Sequence, residues 1–519
     1  MSFEKSRCNF IKKSRLKGEQ IMLDGAINSI SGGDFQKMLW INACPQIDSV
    51  EPLTKEISVS GKAMIEAVFI DSENKVCTAE TSLPFLTKFI NENVNPTTKI
   101  NLNATISDIN FEESNSRVSS VINFDVDITS VNELELLNGG DENICLKEDE
   151  IVSQKLLKDD CITFNEEQKV TITESFDRII SVCTDVVIKD ITCNANFFIV
   201  QGELLTKIFY VICGETERII SVSAVESFKR EIEVGSLSEN SSVEIEINVK
   251  KENLKFEQEN IENGSNVIIT VPLDLCFKAY EEIKIACASD LFSLKNNLEI
   301  VSNDYERTKI VSAMYFESKI EGSISLSEKE PRIDKLLGVS KGIIKPTNQY
   351  IKDGEIVLEG IVSVNVVYLN DETQTINCVK KDLPYIISEK TEVEASFNIC
   401  ARLVLCDVDV IARRGRELFL DAKIKASVRF FGALKGTLIT DAIMGEPLPM
   451  KEEAIEIYFG KAGDKMWDIA KELRTRPEVI VEQNPEINSP LSENCNIIIY
   501  HQKNVNPTSI LLAKKNIEY

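Results

Sequence analysis

The sequence predicts a mainly β protein: three tandem β-rich domains, each a sandwich or an open barrel, followed by a small βααβ domain. Three observations lead there. A strand pattern running from a glycine to an aromatic residue occurs three times. Runs rich in β-branched and aromatic residues alternate apolar and polar positions, as half-buried strands do. After residue 441 that period of two gives way to the spacing of a helix face.

The repeat begins with a long strand. Residues 58–70 hold Gly61 and Phe69, residues 199–211 hold Gly202 and Tyr210, and residues 357–369 hold Gly360 and Tyr368. A glycine inside such a run marks a bulge or a close backbone approach. A polar turn follows at 71–75, 214–217 and 370–374. Next comes Leu83-Pro84-Phe85 in the first copy and Leu383-Pro384-Tyr385 in the third; the second reads Val225-Glu226-Ser227-Phe228 and lacks the proline. Alternating strands come next at 98–109, 242–249 and 393–406, and a last strand at 118–128, 266–278 and 417–431. Short helices are expected at 35–41 and 332–337. The glycines lie 141 and 158 residues apart, too far for a solenoid repeat and right for a whole domain. The expected divisions are 1–145, 146–297 and 298–440 for the three repeats, 441–453 for a linker, 454–501 for the small domain and 502–519 for a tail.

Composition narrows the function. The net charge of −25 disfavours nucleic acid and anionic lipid as partners. The only histidine is His501, which removes His-dependent triads and most zinc sites. There is no phosphate-binding glycine loop and no dinucleotide fingerprint, so no cofactor and no enzyme activity are expected. Fourteen cysteines lack any Cys-x-x-Cys pair. Cys183, Cys213 and Cys276 sit in apolar runs as buried free thiols do, which points to a reducing compartment and mostly free thiols. Residues 1–17 are basic without the apolar centre of a signal peptide, and Lys5 to Lys17 read as a frayed, solvated terminus.

The small domain opens with the strand Ile455-Glu456-Ile457-Tyr458-Phe459. Gly463-Asp464-Lys465 precede a helix in which Met466, Ile469, Ala470 and Leu473 form one apolar face, with Asp464 as the expected N-cap. Pro477 starts a second helix, Asn484-Pro485 follow it, and Cys495 to Tyr500 form a closing strand. In the tail a short helix is expected at 510–517.

The repeat resembles the domain of unknown function that recurs in spore-coat and spore-associated proteins of Firmicutes, over most of residues 20–440. Gly463 to Ala470 with Asn484-Pro485 resemble a LysM domain, whose shallow groove usually binds N-acetylglucosamine polymers. Here that groove falls between 463–466 and 489–494. Three departures weaken sugar binding: Lys465 replaces a small hydroxyl residue, Ser492-Glu493-Asn494 replace a glycine-bearing loop, and Ile499-Tyr500 replace Ile-Pro. The two elements together resemble the SpoIVA-interacting protein L family of spore-forming Clostridia. In that family the LysM domain binds SpoIVA, an ATPase that polymerises around the developing forespore. The resemblance implies a coat-assembly adaptor in the mother-cell cytoplasm, at the forespore surface. The repeats would then serve other coat proteins or self-association.

The expected partner-binding residues are Trp467, Lys465, Tyr458, Lys461, Ile455, Gly463 and Asp464. Trp467 reads both as an aromatic packed between helix and sheet and as an interface anchor, since tryptophan is enriched at hot spots. Lys465 reads as a solvated charge or as a contact to an acidic partner. Ile455 reads first as core. The rival function is a peptidoglycan binder of the cortex or cell wall; a hydrolase is disfavoured by the missing histidines.

Overall fold

The computed structural model describes residues 3–27, 35–214, 216–238, 241–262, 264–449 and 454–500. Antiparallel sheet dominates, and the three repeats are three two-sheet sandwiches.

The first holds β1 (Glu4–Ala26), β2 (Phe35–Leu53), β3 (Glu56–Asp71), β4 (Val76–Ile90), β5 (Lys99–Glu112) and β6 (Arg117–Gly139). Its sheets are β1-β6-β5 and β2-β3-β4. The second holds β7 (Ile144–Ile172), β8 (Arg178–Asn194), β9 (Phe197–Ile212), β10 (Arg218–Glu233), β11 (Ser242–Val249), β12 (Lys255–Ile261) and β13 (Gly264–Ser293). There β13 lies between β7 and the pair β11 and β12, opposite a sheet β8-β9-β10. The third holds β14 (Asn296–Ser325), β15 (Ile333–Val339), β16 (Ile343–Lys352), β17 (Glu355–Asn370), β18 (Ile376–Lys390), β19 (Asn398–Arg413) and β20 (Glu417–Pro447). Its sheets are β14-β20-β19 and β17 flanked by β15, β16 and β18.

The recurring glycine has one job in all three copies. Gly61, Gly202 and Gly360 pair across the sheet with Phe85, Phe228 and Tyr385, the aromatics of the next landmark. On the other side the neighbouring strand skips one residue in register, between Ile47 and Ser49, Ile188 and Asp190, and Pro346 and Asn348. The bulge presses a carbonyl, and the aromatic its ring, onto the bare Cα. A Cβ at Gly360 would lie 2.3 Å from the Lys345 carbonyl oxygen and 2.5 Å from the Tyr385 hydroxyl. Gly360→Ala is therefore expected to destabilise the third domain by about 1–3 kcal/mol, read from the urea midpoint.

The first and last strands of each domain pair to their ends, at Glu4 with Gly139, Ile144 with Ser293, and Asn296 with Pro447. They outrun the rest of their sandwiches as three two-stranded ribbons. The ribbons pack into a stem. Leu137, Ile144, Leu291 and Ile439 form one apolar layer, and Phe10, Leu136, Ile151 and Cys287 another. Phe10 stacks on Tyr305 at 4.8 Å. A further apolar layer joins the other three sheets, through Trp40 and Val68, Phe209 and Ile219, and Leu337 and Val367.

Charged groups cross every domain boundary. Lys13 meets Glu244 with side chains only 11% and 4% exposed. Lys425 reaches Glu203 at 2.5 Å, Lys278 reaches Asn101 at 2.8 Å, and Arg15 reaches the Cys400 sulfur at 2.9 Å.

Several expectations need correction. Residues 35–41 and 332–337 are not helices but belong largely to β2 and β15. Neighbouring Leu39 and Trp40 are both buried because β2 is sandwiched between its own domain and the junction, which blurs the strand period. Lys5 to Lys17 are no frayed terminus; they lie in β1. Residues 441–447, read as linker, are the end of β20. Cys276 is bonded to Cys161 directly across β7 and β13, Cys213 is exposed, and twelve cysteines are free. The helix expected at 510–517 lies outside the described residues. No helix of the described residues is long and apolar enough to cross a membrane.

Candidate interaction site on the C-terminal module

The small domain is a βααβ unit: β21 (Ile455–Gly460), α1 (Met466–Leu473), α2 (Pro477–Gln483) and β22 (Cys495–Tyr500). Met466, Ile469, Ala470 and Leu473 are buried on one face of α1, as their spacing requires. They meet Ile480, Leu491, Ile497 and Ile499. Arg474 ends α1 in the left-handed region, at φ 46°. Asn484, 1% exposed, sutures α2 to β22: its amide donates to the Ile480 and Ile498 carbonyls and accepts from the Ile498 N–H.

The two loops of the expected groove are laced together. Gly463 N–H donates to the Leu491 carbonyl at 2.8 Å and Leu491 N–H to that of Asp464 at 2.9 Å. Ala462 N–H donates to the Asn494 side chain and Met466 N–H to the Ser489 hydroxyl. Gly463 has φ 95°, which a side chain would strain. Asp464 is not the N-cap of α1; Lys465 holds that position, and the Asp464 carboxylate accepts from the Lys461 N–H instead. Lys461, Gly463, Asp464 and Lys465 thus gather at one mouth, with the two lysines exposed. Tyr458 lies half-buried on the helix side of the sheet, its hydroxyl 3.4 Å from Glu472. Burial, then Glu472 and Asp464, push its phenol up.

Trp467 and Ile455 lie elsewhere. The Trp467 ring meets Phe292 edge-on at 5.2 Å, and its Nε1–H donates to Asp290 at 2.8 Å. Lys471 donates to both oxygens of Asp290, at 2.8 and 2.9 Å, and Arg476 to the Glu142 carbonyl. Cys145 and Phe292 of the stem join the module's own core. Trp467 therefore seats the module on the tip of the second domain's ribbon. Ile455 is 42% exposed rather than core, on the sheet face away from the helices.

Sequence reasoning missed Asp290 and Phe292, because nothing local ties a β13 residue to a helix far along the chain. It also missed Ile457 and Phe459, although their period of two with Ile455 marked a common face.

Asp290 makes the seat sensitive to acid. Burial raises its carboxyl, but the hydrogen bonds from Lys471 and Trp467 outweigh that and hold it below the usual carboxylate range. Its contribution is complete above the ordinary value of about 3.9 and fades as pH falls through its own lower value. A red shift of Trp467 emission on acidification below about pH 4 is expected, while Trp40, 2% exposed, stays constant.

Residues 34–113 match the family model described as SipL, SPOCS domain, a span running from β2 through β5. No curated protein and no solved structure matches the chain.

Proposed function

From a SipL-type SPOCS domain at residues 34–113, we propose that this chain is a non-catalytic adaptor of spore-coat assembly. Its C-terminal module is a LysM-type domain that binds SpoIVA, and the protein acts in the mother-cell cytoplasm at the forespore surface. The observation that carries this reading is that match in a chain whose fold repeats the matched domain twice more and ends in a βααβ unit.

The body presents the module at the end of a stem, which suits a part that grips rather than one that transforms a substrate. The partner meets the mouth of Tyr458, Lys461, Gly463, Asp464 and Lys465, where two exposed lysines favour an acidic surface. Trp467 orients that mouth through its hold on Asp290. Interlaced loops leave little room for the close backbone approach that a sugar chain needs.

The test is capture of SpoIVA by the full chain and by a chain ending before Ile455. Capture by the full chain alone is expected; equal capture by both removes the module as the grip. Titration with N-acetylglucosamine oligomers is expected to stay flat.

A further inference from the structure

Cys161 and Cys276 stand directly opposite each other in β7 and β13 and are bonded. The ladder around them runs without a shift from Ile172 with Ser265 to Lys158 with Ala279. Backbone hydrogen bonds therefore hold these two strands whether or not the sulfurs are joined. The first and third domains make the same point. Their first and last strands pair end to end with no covalent link, since the other twelve cysteines are free. The sulfur bond is an addition to a closed domain, not the means of closing it. Twelve free thiols beside one bonded pair fit a reducing compartment, where the disulfides that do form are mostly transient, catalytic or redox-sensing.

The two sulfurs differ in access. Cys161 is exposed, on a strand that pairs with β13 alone and so forms the edge of its sheet. Cys276 is half-buried in the middle strand, with Glu246 of β11 on its other side. A thiolate arriving from solvent meets the Cys161 sulfur first, and access helps to decide which sulfur of a disulfide is attacked.

We propose that Cys161–Cys276 is a reversible thiol–disulfide exchange site for low-molecular-weight thiols, with Cys161 as the sulfur attacked. On opening, a small thiolate bonds to the Cys161 sulfur and expels Cys276 as a thiolate, which takes up a proton. A second small thiolate attacks the small-molecule sulfur of this mixed disulfide. It releases Cys161, which is protonated in turn, and leaves with the first as a small disulfide. The protein gains the two electrons that the two small thiols lose, and closure runs the same steps backward from the small disulfide. Open, the second domain keeps its ladder. Closed, a link between residues 115 apart restrains the unfolded chain. The site sets how firmly the domain holds, not its shape. It stands apart from the adaptor reading, because it needs no partner protein.

Glutathione and its disulfide at graded ratios test it on the folded full chain, read by alkylation and peptide mass spectrometry. Cys161 and Cys276 are expected to pass together from bonded to free as the reduced share rises. Exposed Cys213 serves as the single-thiol reference, and Cys8, 0% exposed, stays unmodified. Cys161 in Cys276→Ser is expected to take glutathione from its disulfide at least tenfold faster than Cys276 does in Cys161→Ser. Reduction of the unaltered chain is expected to raise its unfolding equilibrium constant about a hundredfold, seen as a lower urea midpoint. In the two serine variants, which cannot close the bond, the midpoint is expected to stay put. Four results overturn the proposal: both thiols free at every ratio, a bond that survives excess glutathione until urea unfolds the chain, equal uptake at the two sulfurs, or a midpoint that moves no more in the unaltered chain than in the variants.

Discussion

Glu244→Ala is expected to cost the three-domain body about 3–5 kcal/mol, the usual loss when one partner of a buried ion pair is removed. Glu244 is 5% exposed in β11, and Lys13 reaches it from β1 of another domain. Without it the ammonium keeps the face of Phe431, 4.8 Å away, and the field of the Asp127 carboxylate, with no direct counter-ion in their place. Burial already pushes the Lys13 amine well below the ordinary lysine value, and Lys278 and Arg429 push it further. Stripped of its counter-ion, Lys13 must lose its proton or draw water into the junction, and either is unfavourable. Urea denaturation reads the loss. The paired change Lys13→Met with Glu244→Leu is expected to be near neutral, because it removes both charges and keeps the volume. A drop of less than about 1 kcal/mol for the single variant would show that the pair is already hydrated.

Trp467→Ala is expected to release the module while leaving it folded, weakening its seat by about 2 kcal/mol or more. The change removes the edge-on contact with Phe292 and the hydrogen bond to Asp290 together. Lys471 still meets Asp290, but with 43% of its side chain exposed that pair is a minor contribution. The indole packs at the edge of the core of Met466, Ile469, Leu473 and Ile497, which Ile480, Leu491 and Ile499 still close without it. Small-angle scattering is expected to show a larger radius of gyration. Unchanged scattering would mean that the stem holds the module without the tryptophan. Where the radius of gyration grows, weaker capture of the proposed partner reports a misplaced mouth; where it is unchanged, it reports a lost contact.

Most of the fold was legible in the sequence where one side of a strand faces water. β4 shows it: Leu83, Phe85 and Phe89 are buried, while Leu86, Lys88 and Ile90 are exposed. The signal failed where both faces are covered. From Gly202 to Val211 every residue of β9 is buried, so its pattern is a continuous run that names no face. The same cause hid β2 at Leu39 and Trp40, whereas in β15 two register shifts within seven residues break the period. The module's elements were legible because its contacts are local, apart from the cap, where the backbone chose Lys465 over Asp464, and the outer side of β21, where Ile455 is exposed rather than core. Its docking was not, since Asp290 is an ordinary surface acid until the stem brings it to Trp467. The mouth residues were found, yet their interlacing depends on the Ser489 and Asn494 side chains, which no helix or strand period marks.

The end-to-end pairing of first and last strands sets a timetable for synthesis. β1, β7 and β14 have 23, 29 and 30 residues, and each emerges before anything it can pair with along its length. A nascent chain must carry each as an open edge until the final strand of the same domain has left the ribosome. Closure then comes late and over a long span, so the slow step of maturation recurs three times, once per domain.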